Sequence, residues 1–186
     1  MATKTHAFTF KYPGISRVLE TDIFISVAFD PTATKDFPKS TKFKAIWDTG
    51  ATNSVISQNV IDQCGLVGTG MTKVDGVGGI HNSETYFVNF YLPSNVGVPL
   101  LKVTKGELKG FDALIGMDII GLGDFAVTNK DSKTVFSFRY PSIECIDFVE
   151  QVNHPNTLQQ KPKQPKNQPC SCGSGQKYRY CCGKKA

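Results

Sequence analysis

The sequence predicts an all-β fold, a small barrel or pair of packed sheets with one or two short helices, followed by a short separate motif at the C-terminus. Many short segments of the 186-residue chain alternate apolar with other residues, as strands with one buried face do. Turn residues separate these segments, and the chain has 17 glycines. Apolar residues make up 40% of the chain, which is enough for a core. This combination favours a β barrel or sandwich.

Strands are predicted along most of the first 148 residues. The clearest pattern places four apolar residues at alternate positions of residues 21–31: Ile23, Ile25, Val27 and Phe29. Residues 41–48 and 98–104 are also predicted to be extended. The apolar stretch DALIGMDII, residues 112–120, predicts a strand that breaks at Gly116 and continues as a short helix.

One helix and two hairpins complete the predicted domain. Ser57 stands where it would cap a short helix over residues 58–66. The glycine-rich stretch VDGVGGI, residues 74–80, lies between two alternating segments and predicts a hairpin with a flexible tip. Residues 125–141 predict a second hairpin, with its turn around residues 129–132.

Charge and composition divide the chain. Residues 161–186 carry seven basic residues and no acidic ones, so the net charge of +5 belongs to the C-terminal tail. Residues 149–168 are rich in Pro, Gln, Asn and Lys, a composition typical of a flexible linker. We therefore expect a folded domain over residues 1–148, a linker over 149–168 and a small motif over 169–186.

Hydrophobic runs of membrane length are absent from the sequence. No stretch of about 18 apolar residues occurs, so no membrane span is expected. The first residues lack an apolar core of signal-peptide length. These observations predict a cytoplasmic protein.

One aspartate stands directly after an apolar strand, in the stretch AIWDTGATNSVIS, residues 45–57. Apolar walls are a costly place for a lone charge such as Asp48. Two carboxyls about 3 Å apart share one proton, so that one activates water as a general base and the other donates to the scissile carbonyl. Gly50 would let backbone N–H groups approach the carboxylate. Thr49 offers a hydroxyl to brace the loop, and Ala51 leaves room for a substrate backbone.

The stretch WDTGATNSVIS resembles the active-site loop of the retropepsin-like (retroviral-type) aspartyl proteases, which implies that Asp48 is catalytic. A second feature of that family is an apolar pair and a glycine that pack under the aspartate loop. Leu114, Ile115 and Gly116 match that feature. The resemblance covers about residues 8–140 and implies a small retropepsin-like acid protease barrel.

A glycine-rich flap hairpin between these two motifs is the third feature of the family. The stretch VDGVGGIHNSETYF, residues 74–87, matches it in position and composition. A flap that closes over an extended peptide excludes water and bonds the peptide backbone, and Gly78 and Gly79 are the residues best placed for this substrate contact. A hairpin that is merely tight would carry the same glycines.

The chain holds only half of such a site, because Asp48 is the only aspartate followed by Thr-Gly or Ser-Gly. The family's solution is a homodimer, with a two-fold axis between two copies of Asp48. The resemblance implies that Thr49 then braces its counterpart across the axis. It also implies a peptide or protein substrate and no cofactor for catalysis.

Two positions depart from the retroviral pattern. Many retroviral enzymes pair an acidic residue with an arginine where this chain has Thr52 and Met117. This pair bears on recognition of the substrate ends and on dimer stability. Some relatives have a hydroxyl residue in place of Ala51. Because a hydroxyl that donates to a carboxylate lowers its pKa, alanine predicts an activity optimum of about pH 5–7 instead of about 2–4.

Other polar residues have simpler interpretations. Asp118 is interpreted as an N-terminal cap or dipole partner of the helix that follows Gly116. Asp112 is interpreted as a turn residue, and His81 as an exposed loop histidine. Cys64 fits a buried helix position better than a nucleophile.

Four cysteines crowd into thirteen residues of the tail with the spacing Cys-x-Cys-x8-Cys-Cys: Cys170, Cys172, Cys181 and Cys182. In a cytosolic chain such a cluster indicates a metal site before disulfides. Four thiolates form a closed tetrahedral Zn²⁺ site, which has no open position for catalysis. So short a segment has no core, and metal binding would supply its folding free energy.

The stretch CSCGSGQKYRYCCG, residues 170–183, resembles the SEC-C motif, named for the C-terminus of the preprotein translocase ATPase. The resemblance implies zinc, the four cysteines as its ligands, and docking to export chaperones or ribosomes. Residues 177–180, Lys-Tyr-Arg-Tyr, would form a basic, aromatic docking surface for a protein or RNA.

Three hypotheses follow for the whole chain. The leading one is a homodimeric aspartic endopeptidase that a zinc-binding tail recruits to its partners. The alternative is a non-catalytic or weakly active dimeric peptide-binding protein whose tail docks to a chaperone, the ribosome or RNA. The third is nucleic-acid binding through the basic tail, which predicts a steep dependence on salt.

Overall fold

The protein divides into two compact units, Met1–Glu144 and Cys145–Ala186. The computed structural model describes residues 4–34, 36–76, 79–153, 167–169 and 175–181. The described strands of the first unit are β1 (His6–Lys11), β2 (Glu20–Val27), β3 (Thr41–Trp47), β4 (Val55–Ile56), β5 (Gly70–Gly76), β6 (Gly79–Leu92), β7 (Val96–Lys105), β8 (Ala113–Ile115), β9 (Asp124–Thr128) and β10 (Val135–Tyr140). Its helices are α1 (Gln58–Cys64) and α2 (Met117–Ile120). The predicted all-β fold with short helices is therefore confirmed.

Six strands of the first unit close into a barrel, in the order β2-β3-β8-β4-β7-β6, and β6 pairs back to β2. Strand β5 extends the sheet beyond β6. The alternation predicted in residues 21–31 is visible in β2, where Ile23 and Ile25 are fully buried. Burial of one face of each strand supplies the hydrophobic stabilisation of the barrel.

A second sheet of three antiparallel strands has the order β1-β10-β9. Its aromatic side chains pack against Trp47 at the end of β3, with ring centroids 5.1 to 6.0 Å from the indole: Phe8, Phe125, Phe136 and Phe138. The indole N–H of Trp47 donates to the hydroxyl of Thr21 at 3.0 Å, which satisfies its buried polar atom. The two sheets therefore meet at Trp47, the residue directly before Asp48.

Both predicted hairpins are present. In the first, β5 and β6 pair up to Gly76 opposite Gly79, and Gly79 has φ +90°, a conformation that favours glycine. In the second, β9 and β10 are joined through a 3₁₀ turn at Lys130–Ser132.

Helix α1 lies where it was predicted, but its cap differs from the prediction. Ser57 occupies the N-cap position without a hydrogen bond from its hydroxyl, and that hydroxyl is buried with no partner among the described residues. The helix ends at Gly65, which has a left-handed conformation. Cys64 is half-buried, and burial raises the pKa of its thiol.

The second unit has little regular structure among its described residues. Helix α3 (Phe148–Asn153) occupies the start of the segment predicted to be a linker. Pro169 pairs with Lys177, and a 3₁₀ turn spans Tyr178–Tyr180. No helix in the described part of either unit has the length and hydrophobicity needed to cross a membrane.

Candidate active site

Asp48 lies at the end of β3, where three strands meet. Strand β8 runs between β3 and β4, parallel to β3 and antiparallel to β4. Trp47 pairs with Ile115, and Val55 pairs with Leu114. Because β3 and β4 lie on opposite sides of β8, the loop that joins them, residues 48–54, must pass over the end of β8.

The carboxylate of Asp48 is held by its own loop. Its Oδ1 accepts a hydrogen bond from the backbone N–H of Gly50 at 2.8 Å, and its backbone N–H donates to the carbonyl of Ile115 at 3.0 Å. A Cβ atom at Gly50 would lie 3.2 Å from that carboxylate oxygen. Glycine therefore permits the close approach that we expected from the sequence. Asp48 itself is half-buried, and Thr49 is exposed beside it.

The second sequence motif lies against this loop. Gly116 is buried, and a Cβ atom there would come within 2.7 to 2.9 Å of the backbone of Asn53 and Ala51. The N–H of Met117 donates to the carbonyl of Ala51 at 2.8 Å, and the N–H of Asp118 to that of Thr52 at 3.2 Å. Any side chain at position 116 would push the loop away from β8, so only glycine allows this packing.

A buried serine and an aspartate brace the loop, and the sequence interpretation missed their connection. The carboxylate of Asp118 accepts two hydrogen bonds from Ser54, one from its N–H at 2.8 Å and one from its hydroxyl at 2.7 Å. The hydroxyl of Ser54 also accepts from the N–H of Gly116 at 3.1 Å. Asp118 also accepts from the N–H of Ile119 at 3.0 Å, but the N-cap position of α2 belongs to Gly116, so Asp118 is an acidic residue of the first turn, a dipole partner and not a cap. Its two shorter hydrogen bonds are nevertheless with Ser54, 64 residues away in the sequence.

This brace lies close to the positions where the chain departs from the retroviral pattern. Thr52 and Met117, where the sequence resemblance leads one to look for a charged pair, are both exposed, and backbone hydrogen bonds join them to the rest of the site. Asp118 follows Met117 by one residue, and Ser54 follows Thr52 by two residues. Their contact ties the same two segments together without an arginine.

The hairpin of β5 and β6 and the aspartate loop enclose a cavity of about 360 Å³. Gly50 and Ala51 line it from the loop, and Val74 lines it from the hairpin. Gly79 lies at the hairpin turn, whereas Gly78, the other predicted substrate contact, lies outside the described residues. His81 belongs to β6, not to a loop as predicted, but it is exposed as expected.

The tail's candidate ligands are only partly described. Cys170, Cys172 and Cys182 lie outside the described residues, and Cys181 follows the 3₁₀ turn, its N–H donating to the carbonyl of Tyr178 at 3.1 Å. Within the described part of the chain, no three His, Cys, Asp or Glu residues are grouped as metal ligands.

Two short described segments of the tail, residues 167–169 and 175–181, are joined by backbone contacts. The N–H of Tyr178 donates to the carbonyl of Gln168 at 2.8 Å, beside the pairing of Pro169 with Lys177. Gly175 has φ +72°, a left-handed conformation that favours glycine. The residues directly before Cys170 therefore lie beside Lys177 and Tyr178, a few residues before Cys181. Four thiols are a donor set that fits zinc.

Comparison with known proteins identifies the tail motif. Residues 167–184 match the SEC-C motif. The chain is 50% identical over 38 residues to protein translocase subunit SecA of Dichelobacter nodosus, which is 20% of this chain and 4% of that protein. It is 70% identical over 23 residues to the SecA subunit of Treponema denticola, which is 12% of this chain and 2% of that protein. The chain thus spans a very small part of the length of these relatives.

Solved structures similar to the chain are retropepsin-like aspartic proteases. One is a retropepsin-like aspartic protease from Rickettsia conorii, with 12% identity and a TM-score of 0.45, covering 75% of this chain and 98% of that one. Another is the EIAV protease complexed with the inhibitor HBY-793, with 16% identity and a TM-score of 0.43, covering 57% and 88%. A third is the retroviral protease-like domain of Ddi1 from Leishmania major, with 15% identity and a TM-score of 0.35, covering 62% and 91%.

Proposed function

We propose that the protein is an aspartic endopeptidase that is active as a homodimer. The observation that carries this proposal is the position of Asp48. Its carboxylate is held by the N–H of Gly50 on a loop that β8, Gly116 and the Ser54–Asp118 contact brace from below. Gly50 and Ala51, next to it, line a cavity that a hairpin covers. A rigid carboxylate beside a covered cavity is the arrangement that acid–base hydrolysis of a peptide needs.

A second chain supplies the other carboxylate. Two copies of Asp48 across a two-fold axis share one proton, because two carboxyl groups about 3 Å apart cannot both be ionised. The ionised carboxylate removes a proton from water, whose oxygen attacks the peptide carbonyl carbon, while the protonated carboxyl donates its proton to the carbonyl oxygen. The first carboxyl then gives the proton it took from water to the amide nitrogen, the C–N bond breaks and the amine leaves. The second carboxylate takes a proton back from a hydroxyl of the intermediate, which releases the acid and restores the shared proton. In this proposal Thr49 braces its counterpart at the axis.

The hairpin and the loop would hold the substrate. An extended peptide that lies between them can form backbone hydrogen bonds to both, and closure of the hairpin tip at Gly78 and Gly79 would exclude water. The packing of Leu114, Ile115 and Gly116 keeps the floor of this cleft fixed.

The tail would act as a recruitment module. We assign a structural zinc ion to Cys170, Cys172, Cys181 and Cys182, in a cytoplasmic chain whose thiols remain reduced. The zinc would fold the tail and take no part in catalysis. Arg179 lies over the ring of Tyr180 at 4.5 Å from its centroid, and Tyr180 is exposed, which supports an aromatic, basic docking surface for a chaperone, the ribosome or RNA.

The test is the substitution Asp48→Asn. It preserves size and removes the acid–base group, so cleavage of a peptide library should fall about 10³-fold or more while the dimer persists in analytical ultracentrifugation. Asp131→Asn, in the exposed β9–β10 turn, is the matched control and should cleave normally. Native specific activity should also fall on dilution below the dissociation constant of the dimer.

Two results would reject this function. Equal cleavage by native protein and the Asp48→Asn variant would exclude Asp48 as the catalytic group. Peptide binding without cleavage by either protein would favour the alternative, a dimeric peptide-binding protein whose tail does the docking.

A further inference from the structure

The polar side chains near the candidate site fall into two groups. The first group is committed to internal hydrogen bonds. The hydroxyl of Ser54 bonds Asp118, that of Ser83 donates to the carbonyl of Lys105 at 2.6 Å, and that of Thr85 contacts the hydroxyl of Thr69 at 3.3 Å. Ser54, Ser83 and Thr85 are also buried, so these groups serve the fold.

The second group lines the cavity between the loop and the hairpin: Thr52, Asn53, Thr72 and Thr104. No side-chain hydrogen bond joins any of these four to another described residue. All four are partly or fully exposed. Two apolar residues, Val55 and Val74, and two charged residues, Lys73 and Asp75, also belong to the lining. The cavity therefore offers uncommitted hydroxyl and amide groups between two apolar walls, and such groups gain from a partner that both donates and accepts.

The two charged residues of the lining have opposite signs. Lys73 and Asp75 lie two residues apart on β5, so their side chains point to the same face, and both are exposed. Neither forms an ion pair with a described residue. Thr52 supplies no charge from the loop. The cavity consequently favours neither an acidic nor a basic ligand group.

The size of the cavity limits what it can hold. Its volume of about 360 Å³ lies at the lower end of the range of ligand pockets, so it can hold a side chain but not a long stretch of peptide. It adjoins Gly50 and Ala51, so a side chain in it would belong to a residue close to the scissile bond.

We propose that this cavity is a substrate subsite that selects a neutral hydrogen-bonding side chain, Asn, Gln, Ser or Thr, and that Asn53, Thr72 and Thr104 determine this specificity. The inference rests on the proposed function, since it places a peptide in the cleft. The two-fold axis gives one subsite on each side of the cut. The preference therefore occurs at two positions that are equally distant from the scissile bond.

The test uses eight-residue host peptides with one guest residue at each position in turn. The guests form pairs of nearly equal shape, Asn with Leu and Thr with Val, so that a difference between them reports hydrogen bonding. Binding is measured by isothermal titration calorimetry to the Asp48→Asn homodimer, which does not require catalysis. Cleavage of the same peptides by the native dimer is measured in parallel as kcat/KM.

The polar guest should bind about 3- to 10-fold more tightly than its apolar partner at one pair of equidistant positions, as expected for one or two net hydrogen bonds. In the double variant Thr72→Val and Thr104→Val, made in the Asp48→Asn background, this ratio should fall to about one, while apolar guests bind at least as well as before. Thr128→Val, on an exposed position of β9 in the other sheet, is the control and should keep the full ratio.

The outcomes separate the two proposals. A preference for apolar or charged guests at every position, a ratio that survives in the double variant, or no binding of any peptide would overturn the subsite. Absence of cleavage by the native dimer, with the binding preference intact, would overturn the proteolytic function and leave the subsite standing.

Discussion

The barrel and the tail of this protein are held together in different ways. The barrel buries a continuous set of aliphatic and aromatic side chains, and many of them are wholly inaccessible. In the second unit, none of the described residues is buried, and the apolar residues of α3 are each more than two-thirds exposed: Phe148, Val149 and Val152. A segment that buries so little cannot offset its loss of conformational entropy. The comparison teaches that the barrel folds through its core, whereas the described residues of the second unit form no core; the proposed zinc site would supply the missing stabilisation.

Removal of the proposed zinc ion should have the largest effect, and it should unfold the second unit only. Structural zinc contributes an apparent free energy of about 10–16 kcal/mol at neutral pH, so a chelator or Cys170→Ser should unfold the tail completely. In ¹H–¹⁵N spectra of the full chain, the resonances of residues 175–181 should collapse toward unfolded positions while those of the barrel stay in place.

Cys145→Ser is the control for this experiment, because Cys145 is exposed and lies outside the motif. It should retain one zinc per chain. A tail spectrum that chelation leaves unchanged would contradict the claim that zinc folds the tail. A protein purified without zinc that keeps a folded tail would contradict it too.

Truncation of a core side chain of the first unit should have the next largest effect. It should destabilise the first unit and leave the tail unchanged. Phe136 is fully buried, with its ring centroid 5.2 Å from Trp47 and 5.3 Å from Phe125. Phe136→Ala should lower the free energy of unfolding by about 3–5 kcal/mol in urea titrations at fixed protein concentration, with zinc content unchanged. Phe87→Ala, at a position 43% exposed, should cost much less. Equal losses from both variants would mean that the ring cluster does not stabilise the barrel as described.

The brace beneath the aspartate loop should have a smaller effect on stability and a specific effect on activity. Ser54→Ala leaves the N–H of Gly116 and the carboxylate of Asp118 without their shared partner, at a cost of about 1–3 kcal/mol. Peptide cleavage should fall beyond what the folded fraction explains, because the loop that carries Asp48 loosens.

Ser26→Ala is the matched control for Ser54→Ala. Ser26 is also fully buried, and its hydroxyl donates to the carbonyl of Val27 at 3.0 Å on β2. Activity per folded dimer should be unchanged in this variant. Equal activity in the two variants would show that the brace does not position the loop.

The smallest effect should be the pH dependence that Asp124, in β9, confers on the stability of the first unit. The hydroxyl of Ser142, at 2.6 Å, the N–H of Ile143 and the guanidinium of Arg139 stabilise its charged form, and they hold the pKa of Asp124 well below its usual range. Because the pKa is lower in the folded chain than the value of about 3.9 expected on unfolding, the stabilisation is present above about pH 4 and is lost as the pH falls further.

Asp124→Asn should therefore be less stable than the native protein at pH 7, and the difference should shrink in urea titrations carried out progressively below pH 4. Asp22→Asn, which removes one partner of the exposed Lys42–Asp22 pair, tests the specificity of this trend. A difference that does not change with pH would mean that the contacts of Asp124 act through geometry and not through its charge.

Much of the barrel and of the site could be predicted because the signals are local. The alternation in β2, the glycines at the hairpin and the residues Asp48 to Ala51 each occupy one short stretch of chain. The packing of the aspartate loop against β8 and Gly116 could be predicted only from the resemblance to a known family.

The contacts that could not be predicted join residues far apart in sequence. Ser54 and Asp118 each have an adequate local interpretation, as a loop residue and as a helix cap, so neither pointed to the other. The pairing of β1 with β10 has the same character, since His6 lies opposite Tyr140. Ser57 shows the reverse case, because a residue typical of helix caps stands at the cap position without forming the bond.

Trp47 has a practical consequence. It is the only tryptophan in the chain, and it lies in the ring cluster directly before Asp48, with its indole N–H bonded to Thr21. Fluorescence excited at the red edge of indole absorption would therefore arise from the barrel alone, from the residue adjacent to the aspartate loop. The tail has tyrosines but no tryptophan, so it is silent at that wavelength. A single optical signal can thus report on the surroundings of Trp47, next to the candidate site, independently of any change in the tail.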